Sequence, residues 1–239
     1  MVTAADALRL RRAQEGIRVL VVRDLTAMFG SMNLARPEHA RDALLAYMPA
    51  LVRQYGEGAA AVAADWYDEV RASSKAPGTF RALMSVPDDT DAIEGTVRRV
   101  AGTLFTESPT DALGGLMAAI PKFALAGARQ TVTRSADLDS HASGWQRIAR
   151  AGACDFCRVL TGRGAVYRKA TVHFAAHGDC NCAAVPSWDR DAPEVDVMVY
   201  QASARMSGLR RAAANGDRDA QRQVEEHNAR IRLAVGLYA

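Results

Sequence analysis

Through roughly residue 135, apolar residues recur three and four positions apart, and that spacing predicts a mostly helical region. Within "IRVLVVRDLTAMF" it places Ile17, Leu20, Val21, Leu25 and Met28 on one stripe. Thr3 followed by Asp6 has the form of a capping box, and Gly30 is a natural stop. A second helical region opens at "RPEHA", where Pro37 suits a first turn. It continues through "ALLAYMPALVRQYGEGAAAVAADWYDEVRAS". Pro49 is expected to kink or divide it, and Gly56 and Gly58 to loosen it. Pro77, Gly78 and Pro87 make "SSKAPGTFRALMSVPDDTD" a loop or crossing segment. Helices then resume over "TDAIEGTVRRVAGTLFTE" and "SPTDALGGLMAAIPKFALAGARQTVTRS", the second capped by Ser108 or Thr110 with Pro109 at its start.

At "ADLDSHASGW" the pattern changes. Ser, Asp and Gly cluster, and turn signals recur through "GRG", "HGD" and "VPSW". Short strands fit "WQRIARA", "AVYRKATV" and "CNCAAVPSW" better than helices do. From Glu194 the pattern is helical again. The fold class is therefore mainly α with a small α+β cysteine/histidine module resembling a zinc ribbon. The division is residues 1–143 as a helical region, 144–189 as the metal-binding-type module and 190–239 as a C-terminal helical extension. No internal repeat or low-complexity segment interrupts it.

Composition sharpens this picture in three ways. Alanine is abundant and aromatics are 6% of the 239 residues, which favours close-packed helices over a β-sandwich. No apolar run approaches the ~20 residues of a membrane span, so no membrane partner is expected. The segment "MVTAADALRLRRAQEG" lacks an apolar signal core, so the chain is expected to stay in a reducing compartment. The net charge of +3 permits contact with nucleic acid without requiring it. Arg9, Arg11 and Arg12, with Arg205, Arg210 and Arg211, are the candidate contacts for phosphates or an acidic protein surface; the alternative is a solvated helix face. Trp66, Tyr67 and Trp188 are candidates for interface anchors, but core packing accounts for them more simply.

The chemistry is concentrated in the four cysteines. Cys154-x-x-Cys157 lets two sulfurs of one turn face a single ion, and after nineteen intervening residues His177-x-x-Cys180-x-Cys182 supplies a second bite. Thiolate and imidazole suit zinc, and a small irregular module has little core of its own. There are more candidates than ligand positions. Cys154 and Cys157 are the firmest, and His177 with Cys182 completes a set. Cys180 competes with Cys182, because alternate residues of a strand point opposite ways unless a turn brings both inward. His173 is the weakest. Disulfides, reduced thiols without metal, and redox chemistry are the other readings; a redox C-x-x-C belongs to a βαβ unit that this pattern lacks.

"GWQRIARAGACDFCRVLTGRGAVY" followed by "HFAAHGDCNCAAVPSW" resembles the C-terminal part of the phage Mu F-like minor head proteins, the head-morphogenesis family, in its actinobacteriophage form. The resemblance rests on Trp145, Arg147, Cys154, Cys157, Gly164, Tyr167, His177, Cys180, Cys182 and Pro186, and spans about residues 144–188. It implies a structural protein of the virion, located inside the head near the portal vertex and in the host cytoplasm during assembly. The implied partners are the portal protein and the inner capsid or connector, with phage DNA touched during packaging or ejection. Relatives with fused enzyme domains differ, because only about fifty residues follow Trp188 here.

Enzymatic readings find little to stand on. Of the five histidines, His177 is best used as a ligand, and His39 and His227 lie in charged helical contexts. His141, beside Asp139, Ser140 and Ser143, is expected to be an exposed loop histidine whose neighbours are too close in sequence to form a triad. A cysteine-rich set leaves no open position for a hydrolytic water, and Asp155 and Asp179 suit turns better than general-base work. "GRG" at 162–164 lacks the context of a phosphate loop. No enzyme, no catalytic residue and no small-molecule substrate are expected. The alternatives are a DNA-contacting module that guides the genome and, less favoured, a capsid maturation protease.

Overall fold

The computed structural model describes residues 2–149, 153, 155–162, 167, 174, 176, 180, 182–192, 208–209, 211–213 and 215–237. It is mainly helical with one small antiparallel sheet. Helix α1 spans Ala4–Gly30 and α2 spans Pro37–Ser73. Next come α3 (Thr90–Ala101) with a 3-10 turn (Gly102–Phe105), α4 (Asp111–Ala119), α5 (Pro121–Ala124) and α6 (Ala126–Leu138). The sheet pairs β1 (Gly144–Ile148) with β2 (Ala183–Ser187), and α7 (Asp155–Gly162) lies between them in sequence. A C-terminal helix covers Arg218–Leu237.

The predicted start of α1 is present as a reciprocal cap. The Asp6 N–H donates to the Thr3 hydroxyl, and the Thr3 N–H donates to the Asp6 carboxylate, each at 3.1 Å. Its buried stripe is Leu10, Gln14, Val21, Leu25 and Phe29, with Ile17 and Met28 half-buried. Leu20 is 39% exposed, so its place on the stripe is corrected: at the true helical pitch it lies beside the seam that Val21 occupies.

Pro37 does open α2, as expected. Pro49 neither divides nor ends it: the helix runs unbroken to Ser73, with Leu44, Met48, Leu51 and Val52 buried around the proline. Gly56 acts oppositely to expectation. A Cβ on Gly127 would sit 2.3 Å from the Gly56 carbonyl oxygen, so α2 and α6 cross with backbones almost in contact. That crossing needs hydrogen at Gly127, whereas a Cβ on Gly56 would meet the Val86 side chain at 3.3 Å. Thr110 gives no side-chain cap to α4, whose first turn is closed by the Ser108 carbonyl.

Residues 74–89 form the expected crossing segment. Its backbone is satisfied by side chains of the helices beneath: Ala82 N–H donates to Asp68, Leu83 N–H to Ser135 Oγ, and Ser85 N–H to Thr131 Oγ1. A buried ion pair fixes its start. Arg71 Nε donates to Asp139 at 2.8 Å, while its terminal nitrogens donate to the Pro77 and Gly78 carbonyls.

Two hydrophobic clusters result. One joins the C-terminal half of α1 and the N-terminal half of α2 to α3, α4 and α5. The other joins Ala7 and Leu10 of α1, Trp66, Tyr67 and Val70 of α2, and Ala128, Val132 and Ala136 of α6 to the sheet residues Trp145, Ala183, Ala184 and Val185. Trp66 and Tyr67 are buried, and Trp188 stands edge-on to Tyr67 at 5.7 Å, so all three pack as core. The sheet thus shares a core with the helices.

Candidate metal centre

Strand β1 alternates so that Trp145 and Arg147 share a face. The main chain of Trp145 exchanges both hydrogen bonds with Tyr167 (3.1 and 2.8 Å), so its pairing with Pro186 on β2 asks no N–H of the proline. The Trp145 and Tyr167 rings stack at 4.3 Å, and Phe174 tilts against Trp145 at 5.6 Å. Beside Phe174 sits a cluster of Cys157, Cys180 and Cys182, each at most 4% exposed.

Cys157 lies in the first turn of α7, whereas Cys180 and Cys182 lead into β2. Their three sulfurs lie within 4.8 Å of one another. Cys157 Sγ and Cys180 Sγ are 4.0 Å apart, twice a disulfide bond length of about 2.05 Å, and all three thiols are free. A tetrahedral ion with metal–sulfur bonds of about 2.3 Å sets its ligand sulfurs about 3.8 Å apart, so the spacing fits. Three convergent buried thiols can therefore hold a metal ion.

Cys180 and Cys182 both face inward, toward Cys157. The reason is Arg129 on α6. Its Nη2 donates to the Cys180 carbonyl at 2.6 Å, its Nε to the Cys182 carbonyl at 3.1 Å, and its Nη1 to the Lys122 carbonyl at 3.2 Å. One planar guanidinium thus grips the carbonyls of both cysteines. Sequence reasoning passed over Arg129. Its signal was a lone arginine on the buried stripe Leu125, Ala128, Val132 and Ala136.

The thiols are electrostatically unequal. Hydrogen bonds from Cys157 and Cys182, then the Arg129 charge, draw Cys180 below the ordinary thiol range against the opposing effect of burial. Cys157 is driven up by its hydrogen bonds to Cys180 and Cys182 and by burial. For Cys182 the bond with Cys157 acts downward, but the bond with Cys180 and burial prevail and raise it.

Cys154, His177, His173, Gly164, Arg205, Arg210 and Asp179 lie outside the described residues. Arg9 is exposed and pairs with Asp6 and Glu69, both at 3.1 Å. Arg12 and Arg211 are exposed and Arg11 is half-buried. His39 is exposed. His141 is half-buried rather than exposed: its ring packs on Gly78 and its N–H donates to Asp139 at 3.1 Å. Among the described residues, no helix is long and apolar enough to cross a membrane.

A family model described as VG15 protein matches residues 1–207, which takes in the helical region and the whole cysteine cluster. No curated protein and no solved structure matches the chain.

Proposed function

The chain belongs to the VG15 protein family, a family of viral gene proteins, and from that premise we propose that it is a minor structural component of a tailed-phage head. In this reading it binds the portal protein and inner capsid near the portal vertex, acts in head morphogenesis, and is present while the genome is packaged and ejected. Its role is architectural and not enzymatic. One observation carries the reading: residues of the head-protein motif that are dispersed from 145 to 186 meet at one place. Trp145 and Tyr167 pack against helix α6 in one buried cluster, Cys157, Cys180 and Cys182 form a second, and Phe174 packs against both with Arg147 over its ring.

The ion we assign to the cysteine cluster is a structural zinc, held by Cys157, Cys180 and Cys182, with the fourth position taken by Cys154 or His177. Bound there, zinc would tie α7 to the start of β2 and contribute directly to folding. Three thiolates already fill most of a tetrahedral shell, as structural sites do. The helices then present a rigid face to the portal, with the metal module as a clip.

Elemental analysis of the purified protein should give one zinc per chain. Cys157→Ser should remove it, and metal content in Cys154→Ala and His177→Ala identifies the fourth ligand. In a phage carrying Cys157→Ser, incorporation into heads and particle yield should fall. Full particle yield from a metal-free variant would end the structural reading. Pull-down by portal rings supports assembly at the vertex, whereas tight binding to duplex DNA with a steep salt dependence would move the role to genome guidance.

A further inference from the structure

Helix α6 makes two close contacts on opposite sides. At 3.6 residues per turn, residues 127 and 129 are about 200° apart around the axis and point nearly opposite ways. Gly127 meets α2: a Cβ there would lie 2.3 Å from the Gly56 carbonyl oxygen and 3.0 Å from its carbonyl carbon. Arg129, 2% exposed, reaches the cysteine segment. Its Nη2 and Nε donate to the Cys180 and Cys182 carbonyls at 2.6 and 3.1 Å, and its Nη1 donates to the Lys122 carbonyl of α5 at 3.2 Å. Helix α6 is thus a spacer between the backbone of α2 and the two cysteines that lead into β2.

A guanidinium holds its donors in one rigid plane, so three bonds from it fix direction as well as distance. The bond to Cys180 has no slack, since N–H···O bonds are seldom shorter than about 2.7 Å. A side chain at residue 127 would need an ordinary carbon-to-oxygen separation of about 3.3 Å, and so would drive α6 about 1 Å away from α2. That displacement points toward the cysteine carbonyls. Ligand constellations tolerate errors of only about 0.5 Å, so the shift would be felt at the sulfurs.

We propose that the α2–α6 crossing sets the geometry of the metal centre, with Arg129 as the positioning residue that conveys it. This rests on the metal reading above. Arg129 acts through the main chain of Cys180 and Cys182. The bare backbone at Gly127 fixes how far α6 stands from α2, and the fork fixes how far the cysteine carbonyls stand from α6. The three sulfurs, within 4.8 Å of one another, inherit both spacings. Coupling of this kind is reciprocal: an ion that locks the cysteines also holds α6 against α2. The helical face and the ion then respond to load as one unit.

The test uses the full chain as wild type, Arg129→Lys, Gly127→Ala and Gly58→Ala, with zinc affinity measured by chelator competition. Arg129→Lys keeps the charge but loses the planar fork, and should bind zinc about 10–100-fold more weakly. Gly127→Ala, whose methyl meets α2, should bind it at least about 5-fold more weakly. Gly58→Ala, with nothing within 4 Å of its new Cβ, should bind as wild type does. Cobalt loading gives a readout that lost stability alone would not move, because its visible ligand-field bands follow the angles between ligands. Those bands should differ from wild type in loaded Arg129→Lys and Gly127→Ala and coincide with it in Gly58→Ala. Removing zinc from the wild type should speed amide exchange along α6. If Arg129→Lys fails to fold, Gly127→Ala and the wild-type exchange carry the comparison. Wild-type zinc affinity with unmoved bands in Gly127→Ala, or equal weakening in Gly58→Ala, would overturn the coupling while leaving the metal centre standing. A wild-type protein that binds neither ion would overturn the metal reading, and this inference with it.

Discussion

Replacing Asp139 with alanine should be among the most destabilising single changes in the helical region. The carboxylate lies at the end of α6 with its side chain 1% exposed, opposite an Arg71 side chain that is 8% exposed. It accepts from Arg71 Nε at 2.8 Å and Nη2 at 3.3 Å, from the His141 N–H at 3.1 Å, from Trp188 Nε1 at 3.2 Å and from the Tyr67 hydroxyl at 3.3 Å. Through those bonds it joins α2, α6, the loop before β1 and the residue after β2. Removing one member of a buried pair costs about 3–5 kcal/mol, because the other charge stays buried. Arg71 keeps the carbonyls of Pro77 and Gly78, which partly satisfy it, so the lower end, about 3 kcal/mol, is expected. For a chain of this size that lowers the melting temperature by roughly 6–12 °C. Urea unfolding of wild type, Asp139→Ala, Arg71→Met and the double variant measures it, with m checked for constancy. The double variant should be destabilised by much less than the sum of the two singles. A loss under about 1 kcal/mol for Asp139→Ala, or strict additivity, would show that the pair does not hold these elements together.

Acid should act through the same group. Burial pushes the Asp139 pKa upward, but the Arg71 hydrogen bond, the His141 N–H, Trp188 and the Arg71 charge together hold it below the ordinary 3.8. Its contribution is therefore complete above the unfolded value and is lost as pH falls from there through the folded one, so urea midpoints between about pH 3 and 6 should drop more steeply in wild type than in Asp139→Ala. Gly127→Ala should destabilise by about 1–3 kcal/mol by forcing α6 off the Gly56 carbonyl. Gly58→Ala, exposed on the same α2 and with nothing within 4 Å of its new Cβ, should stabilise by about 0.5–1 kcal/mol; thermal melts decide both signs, and matching signs would refute the close crossing. Cys157, Cys180 and Cys182 should resist a thiol reagent in the native protein and react on unfolding, and rapid native labelling of all three would contradict their burial.

Much of this protein can be read from residues near one another in the chain. The Thr3–Asp6 cap, the Pro37 start and the crossing segment around Pro77 and Pro87 are short-range matters of backbone geometry and hydrogen-bond supply, and spacing alone specifies them. The convergence of two cysteine-bearing segments also follows from spacing, because thiols at those intervals share a natural partner. Residues far apart in sequence decided the rest. Both Cys180 and Cys182 face inward because Arg129, some fifty positions earlier, grips their carbonyls, and no local pattern announces that reach. Gly56 is a point of contact instead of a weakness because Gly127 arrives opposite it. Asp139, which on its own reads as a loop acid beside a histidine, becomes a buried hub because Arg71 is brought to it from 68 residues away. Periodicity tells a helix which face to bury, but what that face meets, and therefore whether a buried charge or a bare backbone is tolerated there, is fixed only when the elements pack.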